Sequence, residues 1–188
     1  MKHMKPKLSK ELLAHCAKID DTACSLFIDT VKGEGWTVRK STKEQDMFQH
    51  IDYIISRDGF TLTVDVKGAK RFSDQGLFIV ELVNVIGNRG WLFGKANIIA
   101  FQVGNEFLFV DRNKLYSIVK EKMGLKVYTK GGFSVHCSGR QLYSKPVMAP
   151  NFYQRKGRKD MITFIERKDL ENARTTLQTE QTLRENYE

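Results

Sequence analysis

The chain has 188 residues, of which 41% are hydrophobic, and this suits one domain with a substantial core, with or without appendages. Lys and Arg number 31 against 22 Asp and Glu, and the resulting formal net charge of +9 favours polyanionic partners, nucleic acid first. The lack of a long apolar run argues against a membrane span, and three cysteines without a CxxC pair argue against a disulfide framework or a zinc knuckle.

The first predicted element is a helix with Ser9 as its N-cap and apolar residues that recur at helical spacing. The Gly33-Glu34-Gly35 segment ends it, and an interruption is expected, if anywhere, at the Asp20-Asp21 pair. A short strand at 36–39 and a polar loop at 40–49 follow the helix.

A β-hairpin is the next predicted element. Residues 50–57 alternate apolar and polar side chains like a half-buried strand, and Asp58-Gly59 is a strong signal for a two-residue turn. The return strand is expected at 60–66. Another apolar strand at 77–82 leads into a glycine-punctuated loop at 87–94.

A second pair of strands, 97–103 and 106–110, is predicted across Gly104-Asn105. Asp111 then caps a helix that runs to about Met123.

The remaining chain carries weaker signals. Residues 126–144 are ambiguous, and short strands are predicted at 152–153 and 161–165. The order of elements predicts an α/β (α+β) fold in which a mixed β-sheet is flanked by helices. We expect one domain over residues 1–168, followed by a polar helix or mobile tail over residues 169–188.

Two carboxylates and a lysine are expected to meet on the hairpin. Asp52 lies six residues before Asp58, and Asp65 lies six residues after Gly59, so the two acids should face each other across the strands. Lys67 is two residues beyond Asp65 and therefore points to the same face. Like charges that oppose each other directly destabilise a sheet unless something compensates them, and a bound cation is the simplest compensation.

This constellation suits the hydrolysis of phosphodiester bonds with a metal ion. Mg²⁺ is often held by one or two carboxylates and completes its shell with water and phosphate oxygens. The ion polarises the scissile phosphate and activates a bound water, and a nearby lysine can offset the charge that develops. The alternative, a cross-strand salt-bridge cluster on a solvated face, is equally compatible with the spacing alone.

Asp52 followed by Asp65-Val66-Lys67 resembles the PD-(D/E)XK signature of restriction-endonuclease-like nucleases. The wider pattern EQDMFQHIDYI, VDVKGAKR and ELVNVIGNRGWLFGKANIIAF is similar to small phage-type members of that superfamily. The resemblance covers roughly residues 9–110, with a looser similarity in YQRKGRKDMITFIERKDL. Two departures are Ile51 in place of the motif's proline and Asp65 where many members have Glu.

The resemblance implies a restriction-endonuclease-like core in which Asp52 and Asp65 bind Mg²⁺, with Mn²⁺ able to substitute. It also implies that Lys67 is the catalytic lysine and that the Val66 carbonyl is a further metal ligand.

Many relatives carry another acid earlier in the chain, and we expect Asp46 in this role ahead of Glu44 and Asp21; a solvated carboxylate is the alternative. Glu81 follows an apolar run and could reach the site to help hold the metal or a water, or else be a surface charge on an edge strand. His50 shares the face of Asp52, where a structural role is favoured over contact with substrate.

Aromatic and basic residues outside this centre are candidates for binding nucleic acid. These are Lys70, Arg71, Trp91, Lys95, Arg155, Arg158 and Lys159. For Trp91 the alternative is a side chain that fills the core under its loop, and for the basic turn at 155–159 it is a solvated turn.

The sequence thus predicts a Mg²⁺-dependent endonuclease that acts on DNA, and the family resemblance implies products that carry a 5′-phosphate. Its cysteine usage suits the cytoplasm, that of a host cell if a phage encodes it. A homodimer is conceivable, because many relatives dimerise to cut two strands. Two alternatives remain: a catalytically silent module on a nuclease fold that binds nucleic acid or protein, and a nuclease that cleaves RNA.

Overall fold

The structure, a computed structural model, describes residues 10–69, 73–128, 134–136, 141–142, 152–154 and 159–177. Within these ranges the chain is a mixed α/β protein in which helices flank a mixed sheet. Within the same ranges, no helix is both long and apolar enough to cross a membrane. The proposed N-cap Ser9 lies outside them.

The N-terminal half contains helix α1 (Lys10–Gly33) and strands β1 (Thr37–Lys40), β2 (Tyr53–Arg57) and β3 (Phe60–Lys67). The predicted hairpin is confirmed, with Tyr53 opposite Val64 and the other pairs in step with it. Its turn is Asp58-Gly59, where both residues have positive φ (51° and 85°). This backbone matches the twist of the two strands and suits an Asp-Gly pair.

The first sheet is completed by β5 (Ile98–Val103) and β6 (Glu106–Asp111), which form a hairpin across Gly104-Asn105. The strand order is β1-β2-β3-β5-β6, and every pair is antiparallel except β3 and β5. Helix α2 (Arg112–Met123) follows directly, and the Asp111 carboxylate accepts a hydrogen bond from the Lys114 amide at 2.8 Å. The predicted cap and the end of this helix are both confirmed.

A second sheet covers one face of the first. It contains β4 (Leu77–Val83), which lies in sequence between β3 and β5, and three later strands in the order β4-β11-β10-β9. A separate two-stranded ribbon, β7 with β8, precedes them in sequence. The elements of this half are β7 (Lys126–Tyr128), β8 (Ser134–His136), β9 (Gln141–Leu142), β10 (Phe152–Tyr153), β11 (Met161–Glu166) and helix α3 (Arg167–Asn172).

Both faces of the five-stranded sheet are buried. On one face Tyr53 and Ile55 pack with Phe27 and Val31 of α1, and on the other Ile54 belongs to a cluster shared with β4 and α2. This explains why β2 begins with three consecutive buried residues, whereas the sequence predicted a half-buried strand with alternating exposure. The site discussed below lies where β2 and β3 meet β4.

Three predicted boundaries differ from the structure. The 40–49 segment contains a five-residue π-helix, Gln45–Gln49, and is not a plain loop. His50 ends this turn with a left-handed backbone (φ 53°), so β2 begins at Tyr53 and not at residue 50. Helix α1 continues without a break through Asp20-Asp21, because backbone hydrogen bonding along a long helix outweighs the modest propensity of two Asp residues.

The C-terminal segment also differs from the predicted exposed helix or tail. Leu170, Ala173 and Leu177 are fully buried in the two cores. The Thr175 amide donates to the Phe109 carbonyl at 2.9 Å, so residues after α3 run beside β6. A small number of apolar residues is enough here because the sheet already offers an apolar face. Residues 178–188 lie outside the described ranges.

Arg57 fastens this segment to the rest of the fold. Its Nη1 donates to the Glu34 carbonyl and its Nη2 to the Leu177 carbonyl, both at 2.8 Å, and its guanidinium lies 4.6 Å from the ring centroid of Trp36. One side chain therefore joins the end of β2, the end of α1 and the last described residue.

Candidate active site

The residues of the proposed centre line one cleft of about 460 Å³. Its floor is formed by the ends of β2 and β3, and β4 and the π-helix contribute to its walls. Nine residues singled out from the sequence line it: Asp21, Asp46, His50, Asp52, Asp65, Val66, Lys67, Glu81 and Trp91. The sequence therefore identified a set of side chains that the fold does bring together.

Asp52 and Asp65 are adjacent at the open end of the hairpin. The Asp52 amide donates to the Val64 carbonyl at 2.8 Å, which continues the register of the two strands. The Asp52 Oδ2 atom in turn accepts a hydrogen bond from the Val66 amide at 2.7 Å. The backbone of β3 thus holds the Asp52 carboxylate against Asp65, as the symmetric spacing around the turn predicts.

Lys67 binds the second carboxylate directly. Its Nζ lies 2.6 Å from Asp65 Oδ1 and 5.0 Å from the ring centroid of Trp91. The ammonium is therefore held between a carboxylate and an aromatic face, and its side chain remains partly exposed to the cleft. This position agrees with the prediction that alternate residues of one strand share a face.

Asp65 carries the strongest electrostatic signal in the cleft. It is 2% exposed, and burial raises its pKa to about 8; the Lys67 ammonium opposes this rise and the Asp52 carboxylate adds to it. Its Oδ2 atom is buried and has no hydrogen-bond donor in the described part of the chain. A carboxylate in this setting is stabilised either by a proton or by a cation at that oxygen.

Three further acids line the cleft around the Asp52–Asp65 pair. Asp46 is exposed on the π-helix, Glu81 is half-buried on β4, and both line the cleft, as does Asp21 of α1. No group of three or more Asp, Glu, His or Cys side chains close enough to hold a metal occurs in the ranges described. The Asp52–Asp65 pair is thus the firm part of the site, and Glu44 does not line the cleft.

His50 joins the π-helix to the loop after β4. Its Nε2 lies 3.4 Å from the Arg89 carbonyl oxygen, a long contact at the edge of hydrogen-bond distance. Burial lowers the pKa of His50, and the Lys67 ammonium lowers it further. The side chain lines the cleft and also has this structural neighbour, so its position fits both a structural role and contact with a substrate.

Trp91 is a core residue, which corrects its assignment as a base-stacking side chain. It is 6% exposed and packs edge-to-face on Phe101 with the ring centroids 5.9 Å apart. Its contribution to the cleft is the ring face under Lys67. An indole packed in this way has no free face for a nucleotide, because both Phe101 and Lys67 already cover it.

The Gly90–Lys95 loop contacts the backbone just before Asp52. A Cβ at Gly94 would lie 2.8 Å from the Gln49 carbonyl oxygen, and the Lys95 amide donates to that same oxygen at 2.7 Å. The Lys95 side chain is exposed and does not line the cleft. The loop therefore positions the residues that precede Asp52, a role that its sequence did not indicate.

Of the other predicted phosphate contacts, Lys159 is among the described residues. Lys159 is exposed, and its aliphatic stem packs on Gly87, where an added Cβ would lie 2.8 Å from Lys159 Cδ. Four predicted contacts lie outside the described residues: Lys70, Arg71, Arg155 and Arg158.

Two residues of the cleft were missed by the sequence reasoning. Lys40, at the end of β1, lines the cleft with its Nζ 5.4 Å from the ring centroid of Tyr53. Gln102 of β5 accepts a hydrogen bond from the Ala69 amide and donates one to the Gly104 carbonyl, both at 3.0 Å. Lys40 could have been found by extending the hairpin register to β1, whereas nothing local marks Gln102, which reaches the site only because β5 pairs with β3.

Comparison of the chain with protein-family models, with curated proteins and with solved structures found no match. The activity must therefore be inferred from the cleft's own residues and their surroundings.

Proposed function

We propose that this protein is a Mg²⁺-dependent nuclease that hydrolyses phosphodiester bonds in DNA. One observation carries the proposal: a fully buried Asp65 carboxylate lies beside Asp52 in a cleft and has one oxygen without a hydrogen-bond donor. A buried carboxylate beside a second, half-buried carboxylate is costly unless a cation or a proton is shared between them. The residues present therefore fit a divalent ion.

Asp52 and Asp65 would hold the ion, with the Val66 carbonyl as the further ligand that the family resemblance implies, and Mn²⁺ should substitute for Mg²⁺. Two carboxylates and a small number of backbone or water oxygens are a usual protein contribution to a Mg²⁺ site. A bound ion of this kind polarises the phosphate and lowers the pKa of a water molecule.

Lys67 has a distinct role. Its ammonium is fixed by Asp65 Oδ1 at 2.6 Å and stays partly exposed, so it can donate to a phosphate oxygen or to the attacking water. Negative charge grows on the phosphate as the water attacks, and a preorganised cation next to it stabilises that charge. The Trp91 ring beneath Lys67 limits the directions in which the amine can move.

The fold is compatible with the resemblance to restriction-endonuclease-like nucleases. A helix precedes the hairpin that bears the acids, and a buried strand, β5, lies parallel to β3 on its other side. DNA as substrate, internal cleavage and 5′-phosphate products are implied by that resemblance and by the net charge of +9. Cleavage of RNA is a second outcome that the same chemistry allows.

A catalytically silent binding module is the main alternative. The observation in its favour is that the described residues include no group of three metal-binding side chains. Against it stand both acids and Lys67, which a module that only binds does not require in this arrangement.

The test is cleavage of plasmid, single-stranded, branched and RNA substrates with Mg²⁺ or Mn²⁺ and with EDTA. The wild-type protein should cut at least one substrate, and Asp65→Asn and Lys67→Met should each lower the rate by about a hundredfold or more. Asp58→Asn is the matched control, since it makes the same chemical change on the same hairpin, at an exposed turn where Asn tolerates positive φ.

If the wild-type protein cuts no substrate and Asp65→Asn binds nucleic acid like the parent, the protein is not a nuclease. If RNA alone is cut, the reaction is as proposed and the substrate assignment is wrong.

A further inference from the structure

Large exposed hydrophobic side chains occur on two short segments beside the cleft. Phe48 is 74% exposed and Ile86 is 67% exposed, and Met47 and Val85 next to them are also exposed. Single exposed apolar residues are ordinary on protein surfaces, but two adjacent pairs of them, on segments that contact each other through His50 and Arg89, indicate a contact surface. These four residues are called the apolar rim below.

The rim residues lie on backbone segments next to residues that line the cleft. Met47 and Phe48 lie on the π-helix between Asp46 and His50, both of which line the cleft. Val85 and Ile86 lie in the loop that connects β4 to the turn at Trp91. The carbonyl oxygen of Arg89, in the same loop, lies 3.4 Å from His50 Nε2. The two halves of the rim are therefore on adjacent segments.

The loop that carries Val85 and Ile86 is held in one shape by hydrogen bonds. Asn84 Oδ1 accepts from the Ile86 amide at 3.1 Å and from the Asn88 amide at 2.9 Å, and the Gly87 amide donates to the Asn84 carbonyl at 2.9 Å. Val83 and Arg89 form a β-bridge that closes the loop. Ile86 is thus exposed on a preorganised loop, which lowers the entropic cost of any contact it makes.

Charges around the rim select the kind of partner. Exposed cations on or against the same segments are Lys43, Arg89, Lys95 and Lys159, and Lys159 packs on Gly87 of the loop. Glu44 directly precedes the π-helix, and Asp46 lies on it and lines the cleft. An apolar rim surrounded by cations suits nucleic acid as a partner, because the cations bind phosphates while apolar side chains stack on bases or enter between them.

We infer that the apolar rim contacts unstacked bases and that the preferred substrates are nucleic acids with unpaired nucleotides beside the scissile phosphate, not uniform duplexes. The inference about the scissile phosphate rests on the proposed nuclease function. The contact of Phe48 and Ile86 with bases does not depend on cleavage and is tested separately from it.

The first test is affinity measured by fluorescence anisotropy in EDTA, where cleavage is absent. The probes are a single strand, a duplex with three unpaired nucleotides and the fully paired duplex of the same sequence. The wild-type protein should bind the first two at least about tenfold more tightly than the paired duplex, and the Phe48→Ala, Ile86→Ala double variant should lose about tenfold on these two alone. Asn105→Ala, at the exposed β5–β6 turn, is the control and should change nothing.

The second test reports on the bases themselves. A 2-aminopurine placed at the unpaired site should change its fluorescence when wild-type protein binds, because stacking on Phe48 alters its environment. At saturating protein the Phe48→Ala variant should lose this change, whereas Lys159→Gln should lower affinity and keep it. A variant that only weakens phosphate contacts cannot imitate that pattern.

Equal affinity of the wild-type protein for paired and unpaired probes, or a double variant that binds like the parent, would overturn the inference. Concentration-dependent dimerisation that Phe48→Ala abolishes would assign the rim to a second copy of the chain and would also overturn it. Cleavage without preference for unpaired bases would support the nuclease proposal and overturn the inference about the apolar rim. Preferential binding to unpaired bases without any cleavage would support the contact of the apolar rim with bases and overturn the nuclease proposal.

Discussion

At the scale of single residues, Asp65 concentrates most of the chemistry of this protein. It is buried, lies beside a second carboxylate and is paired with one ammonium, so a negative charge on it would be only partly compensated. The value of about 8 for its pKa means that the metal-free protein keeps a proton there at neutral pH. Such shifts are frequent at functional sites, where a group must respond to a ligand or to a reaction step.

Without metal, the free energy of unfolding should fall as the pH rises from about 5 to 8. The unfolded chain releases this proton near 3.8 and the folded protein near 8, so between these values the folded state binds more protons and loses stability with rising pH. The slope due to Asp65 is at most about 1.4 kcal/mol per pH unit. Urea unfolding in EDTA at several pH values measures it.

Asp65→Asn is the control, because the amide does not titrate and the slope due to this site should disappear. In the proposed site Mg²⁺ would compete with the proton for the same oxygen, so the stabilisation of the wild-type protein by Mg²⁺ should grow from pH 6 to pH 8 and be absent in the variant. Identical pH slopes for the wild-type protein and the variant would show that Asp65 does not hold the proton.

At the scale of elements, the site is built where a hairpin meets segments distant in sequence. The Gly90–Lys95 loop touches the backbone before Asp52, and the Trp91 ring lies under Lys67. Gln102 of β5 binds the Ala69 amide just after Lys67. Each contact restricts one part of the pair of strands that carries the carboxylates, and the proposed metal site would require this rigidity.

The segment after α3 makes a prediction at this scale. Leu177→Ala should lower the free energy of unfolding by about 2–5 kcal/mol, since Leu177 is 2% exposed in the cluster with Phe27 and Tyr53. Chemical denaturation measures the loss. Asn172→Ala, an exposed position in α3, is the control and should stay within about 0.5 kcal/mol of the parent. A loss below about 1 kcal/mol for Leu177→Ala would mean that this segment is not part of the core.

At the scale of the whole molecule, net charge and layered packing act together. The charge of +9 provides a general attraction to nucleic acid, while the two buried faces of the five-stranded sheet provide a stable frame for the cleft. Attraction of this kind positions a polyanion but does not select among sequences.

Affinity for DNA in EDTA should therefore fall steeply with salt. An interface with about four phosphate contacts loses roughly a hundredfold between about 50 and 200 mM NaCl. Anisotropy titrations at several salt concentrations measure the slope, and Lys95→Gln and Lys159→Gln should each reduce it by about one. Lys114→Gln, an exposed change on α2, serves as control, and equal slopes for all three variants would exclude these lysines from the interface.

Local and bulk properties were determined by the sequence itself. Asp58-Gly59 set the hairpin and, by symmetry of spacing, brought Asp52 opposite Asp65 with Lys67 on the same face. Asp111 capped its helix as expected. These features depend on contacts within about 15 residues or on composition alone, and turn chemistry and strand alternation encode them directly.

Only the tertiary structure decided the rest. The parallel pairing of β3 with β5, the burial of Trp91 under Lys67 and the packing of Leu177 join residues more than 20 positions apart. Such contacts are selected by which apolar faces meet, and several segments of similar hydrophobicity could have filled those positions. The pattern of the chain therefore located the carboxylates, whereas the packing of distant segments around them determined that Asp65 is buried and that Trp91 belongs to the core.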